Sequence, residues 1–193
     1  MTEVLIETVR PLRADARRNR ERILESARLV FSEYGAEAQI DDVAHRARVG
    51  VGTVYRHFPT KEALMVELVR QKFRLFAATA RDALDQDGEP FAVFADVLRR
   101  NAEAAASDAT MQHALAGGGE HIWEQAQAEH QELSALTEQL IARARSAGTI
   151  RSDIGAADVS MLMCGVSATM GHGGSRSDWH RHLELVIDML RAR

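Results

Sequence analysis

Apolar residues recur along this chain with a helical period almost from end to end. Ile23, Ala27, Val30, Phe31 and Tyr34 fall at i, i+4, i+7, i+8 and i+11, one stripe of an amphipathic helix running from about Ala14 to Tyr34, with Gly35 as its stop. Ile40, Val43, Ala44 and Ala47 repeat at i, i+3, i+4 and i+7, a second and shorter helix. Asp41 and Asp42 stand in its first turn, where the helix dipole favours negative charge. Arg48-Val49-Gly50 reads as a turn. A third helix starts at Val51, sets Val51, Val54, Tyr55 and Phe58 on one side, and ends at Pro59. Thr60 then caps a fourth, from Lys61 to about Leu84.

The same period continues behind these four. The stretch Asp85-Gln-Asp-Gly-Glu-Pro90 breaks it, and a helix from about Phe91 to Ala106 follows with Phe91, Phe94, Val97 and Leu98 apolar. A short helix is expected over Asp108–Ala116, stopped by Gly117-Gly118-Gly119, and a long one from about Glu120 to Ala147, stopped by Gly148. Two more, about Ala156–Met170 and Ser177–Arg191, are divided by a glycine-rich turn around His172. The pattern predicts an all-α chain.

Composition supports helix: 3 prolines in 193 residues, with many Ala, Leu, Arg and Glu. One cysteine, Cys164, excludes an intrachain disulfide scaffold. No apolar run reaches the length of a membrane span and no leader is evident, so a cytoplasmic protein without membrane association is expected. The net charge of −4 argues against a nucleic-acid partner until its distribution is considered. Residues 1–72 hold 13 Lys/Arg against 11 Asp/Glu, and residues 73–193 hold 11 against 17. Seven arginines lie between Arg10 and Arg28. The front is mildly basic and the back acidic.

Two short helices joined by a three-residue turn have the form of a helix-turn-helix, in which the second helix enters the major groove of DNA and the first braces it. A helical hairpin that packs on another protein has the same period. The third helix carries suitable chemistry: Val51, Val54 and Phe58 for an inner face, and Gly52, Thr53, Arg56 and His57, small or hydrogen-bonding, for an outer one. Gly50 and Gly52 allow close backbone approach. Beyond periodicity, the string "IDDVAHRARVGVGTVYRHFPTKEAL", with the preceding "ILESARLVFSEYGAEA", resembles the DNA-binding signature of the TetR family of bacterial transcriptional regulators, over roughly Arg20 to Leu68.

That resemblance implies a homodimer of two-domain subunits, with a three-helix DNA-binding head over residues 1–66 and a helical-bundle body over 67–193 that dimerises and takes a small effector. It implies groove-facing roles for Val51 and Thr53 and phosphate contacts for Tyr55, His57 and Lys61. Lys61 also sits at a helix N-terminus, where backbone N–H groups favour phosphate. Gln39 stands where the family often opens its second helix with Thr, Arg48 where it usually has Gly, and Gly50 where it usually has a Ser or Thr cap. Arg10, Arg13, Arg17 and Arg18 are either a phosphate-tracking arm or a solvated helix start. The candidate DNA-contacting set is Arg17, Arg18, Gln39, Arg48, Gly50, Val51, Gly52, Thr53, Tyr55, Arg56, His57 and Lys61, and the implied partner is double-stranded operator DNA with an inverted repeat.

In the body, Leu183, Val186, Ile187 and Leu190 form an i, i+3, i+4, i+7 stripe, and with Leu162 and Val166 they are the expected dimer surface; the same stripe could instead pack inward on its own subunit. Phe94, Leu98, Met111, His113, Trp123, Met161, Cys164 and Met170 are candidates for a pocket that takes a small apolar effector, each also readable as core. The eight histidines assemble no metal site, and neither metal nor cofactor is expected. Two other classes remain open on residues alone: an enzyme using Cys164 with a nearby histidine, and a helical adaptor.

Overall fold

The computed structural model describes residues 3–108, 120–170 and 177–192. Its elements are α1 (Glu3–Tyr34), a 3-10 turn (Gly35–Glu37), α2 (Ile40–Ala47), α3 (Val51–His57), α4 (Lys61–Leu84), α5 (Pro90–Ala106), α6 (Glu120–Gln125), α7 (Gln127–Ser146), α8 (Ala156–Ala168) and α9 (Ser177–Leu190). No β-strand is present among the described residues beyond an isolated bridge between Ile150 and Arg191. The chain divides into two compact units, Met1–Leu68 and Val69–Arg193.

The first unit closes around the stripes of α1 and α2. Ile23, Leu24, Ala27, Val30 and Phe31 of α1 are buried, as are Ile40, Val43, Ala44 and Ala47 of α2, Val54 of α3, Phe58 just after it, and Leu64 of α4. The turns between them are fixed by polar groups. Asp42 accepts a hydrogen bond from the Gln39 backbone N–H at 3.1 Å, while the Gln39 side chain turns back to the Glu37 carbonyl, so Gln39 itself caps nothing. Thr60 Oγ1 accepts from the Ala63 N–H at 3.0 Å and opens α4. Arg48 ends α2 in the left-handed region, φ 53° and ψ 47°, with its N–H returned to the Ala44 and His45 carbonyls. Arg22 reaches across from α1 and donates to the Ala47 and Arg48 carbonyls, satisfying helix-end acceptors that would otherwise be orphaned.

In the second unit, Phe91, Phe94, Val97 and Leu98 of α5 meet Leu136, Leu140 and Ile141 of α7, Val159 and Val166 of α8, and Trp179, Leu183, Val186, Ile187 and Leu190 of α9. Ala77, Ala80 and Ala83 of α4 join the same core. Glu89 caps α5 by accepting from the Phe91 and Ala92 N–H groups at 2.9 and 2.7 Å, and these bonds hold its carboxyl below the usual carboxylate range. Arg145 donates to the Ile154 carbonyl at 2.6 Å, and Glu138 accepts from the Ala156 N–H at 2.9 Å, so α7 fixes the start of α8. The Arg151 and Ala192 N–H groups donate to the Leu190 and Thr149 carbonyls and tie the chain's end to the α7–α8 turn.

Three expectations change. α1 extends through Pro11 to Glu3 instead of starting near Ala14. The helix expected over 120–147 is interrupted at Ala126 (φ −96°, ψ 9°), which separates α6 from α7. The expected dimer stripe faces inward: Val166, Leu183, Val186, Ile187 and Leu190 are all buried in their own subunit's core, with Leu162 packed against it. Five side chains committed to one core cannot form an outer face. The large apolar side chains that α8 and α9 do expose are Met161, Leu185 and Met189. The short helix expected over Asp108–Ala116 lies almost wholly outside the described residues.

Arg48 is the one non-glycine residue with positive φ among the described residues. A left-handed conformation costs an L-residue about 1–2 kcal/mol, partly offset in a comparison with Gly by the greater chain entropy Gly loses on folding. Arg48→Gly is therefore expected to raise stability by about 0.5–1 kcal/mol, read as a higher midpoint in denaturant titration.

Candidate nucleic-acid interface and effector cavity

α3 is seven residues long, so few side chains decide how it lies. Val54, fully buried, and Phe58, which follows the helix, are its apolar anchors. Arg20 of α1 lies over the Phe58 ring at 5.1 Å and pairs with Glu67 at 3.1 Å, which fixes the C-terminal end of α3. The remaining surface of α3 faces out. Gly52 and Arg56 are exposed, Thr53 and His57 half-buried, Val51 is 38% exposed and Tyr55 47%. Val51 thus belongs to the outer face, not to the inner one that its spacing suggested. Tyr55 and Arg56 have no hydrogen-bond or ion-pair partner among the described residues.

Around α3, Gln39, Arg48 and Gly50 are exposed at the ends of the two short helices. Lys61 is half-buried at the start of α4, its ammonium 5.8 Å from the centre of the Phe31 ring. Arg17 and Arg18 are exposed on α1 and pair within it, with Glu21 at 3.7 Å and with Asp15. Arg46 is engaged by Glu33, whose carboxyl is held low by hydrogen bonds from Tyr34 and Arg46. The side chains of Arg10 and Arg13 lie outside the described residues.

The two glycines separate packing from function. A Cβ built on Gly52 meets nothing within 4 Å, and one on Gly50 meets only Thr53 Oγ1 at 4.0 Å. Neither has the positive φ that would require Gly. The protein's own packing gives no reason for a bare backbone at Gly52, inside the helix, where Gly is disfavoured by up to about 1 kcal/mol relative to Ala; Gly50 is the N-cap, a position that itself favours Gly over Ala. The outer face of α3 is accordingly smooth where something from outside could approach its backbone.

In the second unit a cavity of about 110 Å³ lies among α4, α5, α6, α7 and α8. Four of the sequence candidates line it: Phe94, Leu98, Trp123 and Cys164. Met161 does not. It is 65% exposed, and two positions on, across α8, Met163 takes the place in the lining. Met170 packs against the core and is not in the lining. Met111 and His113 lie outside the described residues.

Phe73, Phe76, His130 and Ser160 were missed. The phenylalanines had a signal, since Phe73, Phe76, Ala77 and Ala80 fall at i, i+3, i+4 and i+7 on α4. His130 had none, sitting in the polar run Gln-Ala-Glu-His-Gln-Glu. Its ring stands 5.4 Å from that of Phe73 and 6.0 Å from that of Trp123, and its Nε2 is 3.2 Å from Ser160 Oγ. Burial lowers the His130 pKa, and partial desolvation raises that of the Cys164 thiol although the residue as a whole is exposed. A thiol with a raised pKa is a poor nucleophile. No cluster of metal-ligating side chains occurs among the described residues, and no helix there is long and apolar enough to cross a membrane.

A short helix anchored on one side by Val54 and bare on the other, braced by α2 across a tight turn, defines a helix-turn-helix protein. Comparisons with known proteins name the family. The profile described as "Bacterial regulatory proteins, tetR family" matches residues 23–68, and that described as "Transcriptional regulator SbtR-like, C-terminal domain" matches residues 89–192. The chain belongs to the TetR family of bacterial transcriptional regulators, DNA-binding proteins and not enzymes. It is 29% identical to the HTH-type transcriptional repressor KstR of Mycolicibacterium smegmatis over 196 residues, covering 98% of this chain and 96% of that protein. A TetR transcription regulatory protein from Mycobacterium vanbaalenii is 35% identical with a TM-score of 0.66, over 94% of this chain and all of that one (100%). FadR of Bacillus subtilis in complex with stearoyl-CoA gives a TM-score of 0.71 at 16% identity, over 88% and 96% of the two chains, a likeness of fold alone.

Gly52→Ala separates the two demands on α3. It is expected to leave the fold as stable or about 0.5 kcal/mol more so, and to weaken DNA binding at least several-fold. Denaturant titration and fluorescence anisotropy on the same preparation check both signs.

Proposed function

We propose that this regulator is a homodimeric repressor that holds an inverted-repeat operator through the outer face of α3 and lets go when a small apolar molecule occupies the α4–α8 cavity. The observation that carries the DNA part is the division of α3: Val54 fully buried, and Val51, Gly52, Tyr55 and Arg56 exposed with Thr53 half-buried among them. Thr53 and Val51 are suited to base edges, and Tyr55, His57 and Lys61 to the backbone phosphates. The likeness to KstR, described as a repressor, supports the sign of regulation.

Two-fold symmetry supports an inverted repeat, its half-sites about 34 Å apart or a small multiple of that. The surface better suited to pairing two subunits is the one α8 and α9 leave exposed: Met161, Leu185 and Met189, with the small residues Gly165 and Ala168 allowing close approach. The cavity supports an effector of limited size. Its volume of about 110 Å³ compares with about 150 Å³ for an apolar cavity that takes benzene. A space of this size suits a compact molecule better than a long acyl chain such as that of the stearoyl-CoA in the FadR complex. α4 runs through both units and brings Phe73 and Phe76 to the cavity lining, so it is the continuous element by which occupancy could be felt at the head. The effector can shift DNA affinity only by its own preference between the two arrangements of the protein.

Salt titrations separate the two kinds of DNA contact. Tyr55→Ala and Lys61→Ala should each weaken binding to all sequences and reduce the slope of log K against log salt by about 1. Thr53→Ala should keep the slope and change which bases are preferred. Slopes and preferences identical to those of the parent would remove these roles.

A second outcome concerns assembly. Leu185→Glu with Met189→Glu alters side chains that are already about half exposed (50% and 47%), so the subunit should stay folded and become monomeric. Sedimentation with circular dichroism reads both. A dimer that survives the double change would move the interface elsewhere.

A further inference from the structure

The lining of the cavity says more about its occupant than size and greasiness. No Asp, Glu, Lys or Arg is among the described lining residues, so none of the described side chains there balances a buried charge. An ionised ligand would lose its hydration without a counter-ion, which costs several kcal/mol even after relaxation. One wall is a cluster of rings: Phe73 and Trp123 with centres 5.4 Å apart, and His130 set edge-on to both. Such a wall favours a flat, ring-bearing guest through edge-to-face and offset contacts.

Besides Asn101, Ser134 and Ser167, the polar side chains of the lining include Thr137 and the pair His130 and Ser160. Thr137 spends its hydroxyl proton on the Leu133 carbonyl of its own helix, at 2.9 Å. His130 Nε2 and Ser160 Oγ meet at 3.2 Å, from α7 and α8, and are the one hydrogen-bonded pair of lining side chains among the described residues. Burial keeps the imidazole in its neutral form near pH 7. A neutral imidazole has one donor and one acceptor, and a serine hydroxyl can act as either. The pair can therefore open to take in a hydroxyl that both gives and accepts a hydrogen bond, with neither partner left unsatisfied.

From this geometry we infer that the cavity takes an uncharged, single-ring molecule bearing one hydroxyl group, of the phenol class, with the ring against Phe73 and Trp123 and the hydroxyl between His130 and Ser160. The inference rests on the cavity being the effector site, and its test keeps the two apart.

The probes are phenol, toluene (the same shape with methyl in place of hydroxyl) and benzoate (a ring carrying a carboxylate), titrated into the full chain by calorimetry at pH 7.5. Phenol should bind about tenfold more tightly than toluene, the worth of a hydrogen bond that leaves no group unpaired. Benzoate should bind at least about 100-fold more weakly than phenol. Ser160→Ala and His130→Phe should each remove the phenol-over-toluene preference and leave toluene affinity within about twofold, since the ring wall persists. Ser160→Ala is the smaller change and decides the matter if His130→Phe does not fold. Benzoate binding as tightly as phenol, or a preference for phenol that survives in Ser160→Ala, overturns the inference. If none of the three binds, both it and the effector-site reading fall. If phenol binds with the expected discrimination but the operator complex is unaffected by it, the ligand class stands and control through this cavity falls.

Discussion

Val54 decides what this protein can touch. A seven-residue helix has only two turns, and once one side chain near its middle is fully buried the direction of every other side chain on it follows. Phe58 fixes the far end, held under the Arg20 guanidinium. The outward side chains are then delivered together: a small surface at Gly52 and Thr53, flanked by Val51, Tyr55, Arg56 and His57. Arg22 and Arg48 serve this arrangement from behind. Arg48 accepts a left-handed backbone so that the chain can turn sharply from α2 into α3, and Arg22 satisfies the carbonyls exposed by that turn. A mildly basic front placed on an acidic chain supplies the attraction that such a surface needs for phosphate.

The second unit follows a different rule. Its helix ends are closed by side chains, Glu89 on α5 and Glu138 with Arg145 at the start of α8, and its core is dense with Phe, Leu, Ile and Val. Against that density a space of about 110 Å³ walled by rings and small polar groups, with no Asp, Glu, Lys or Arg among its described lining residues, is a distinct chemical environment. Its lining is drawn from five helices, including the one that begins in the head.

Much of the head was legible in the sequence because its constraints are local. The spacing of Ile40, Val43, Ala44 and Ala47, the cap at Thr60 and the stop at Gly35 each report on residues within one or two turns. The resemblance to a known family added roles that spacing cannot supply. Val51 was misplaced because over seven residues a helical period tolerates an error of one face. The stripe on the last helix was open to two readings for another reason. The stripe Leu183, Val186, Ile187 and Leu190 says that a face is covered, but not whether its own subunit or a second one covers it. Only three-dimensional packing separates the two, and it leaves the much weaker pattern of Met161, Leu185 and Met189 outside. The cavity was least legible. Phe73, His130 and Ser160 come together from three helices far apart in sequence, and His130 lies in a polar run that reads as solvent-facing.

The central claim is that the outer face of α3 reads a DNA sequence in duplicate. The most direct measurement is to incubate the purified chain with random-sequence duplex DNA at physiological salt, recover what it retains over several rounds, and sequence it. The account predicts enrichment of one motif with an inverted repeat, its half-sites separated by one helical turn or a small multiple. Retained DNA that matches the input pool, or a single asymmetric site bound tightly by one subunit, would contradict it.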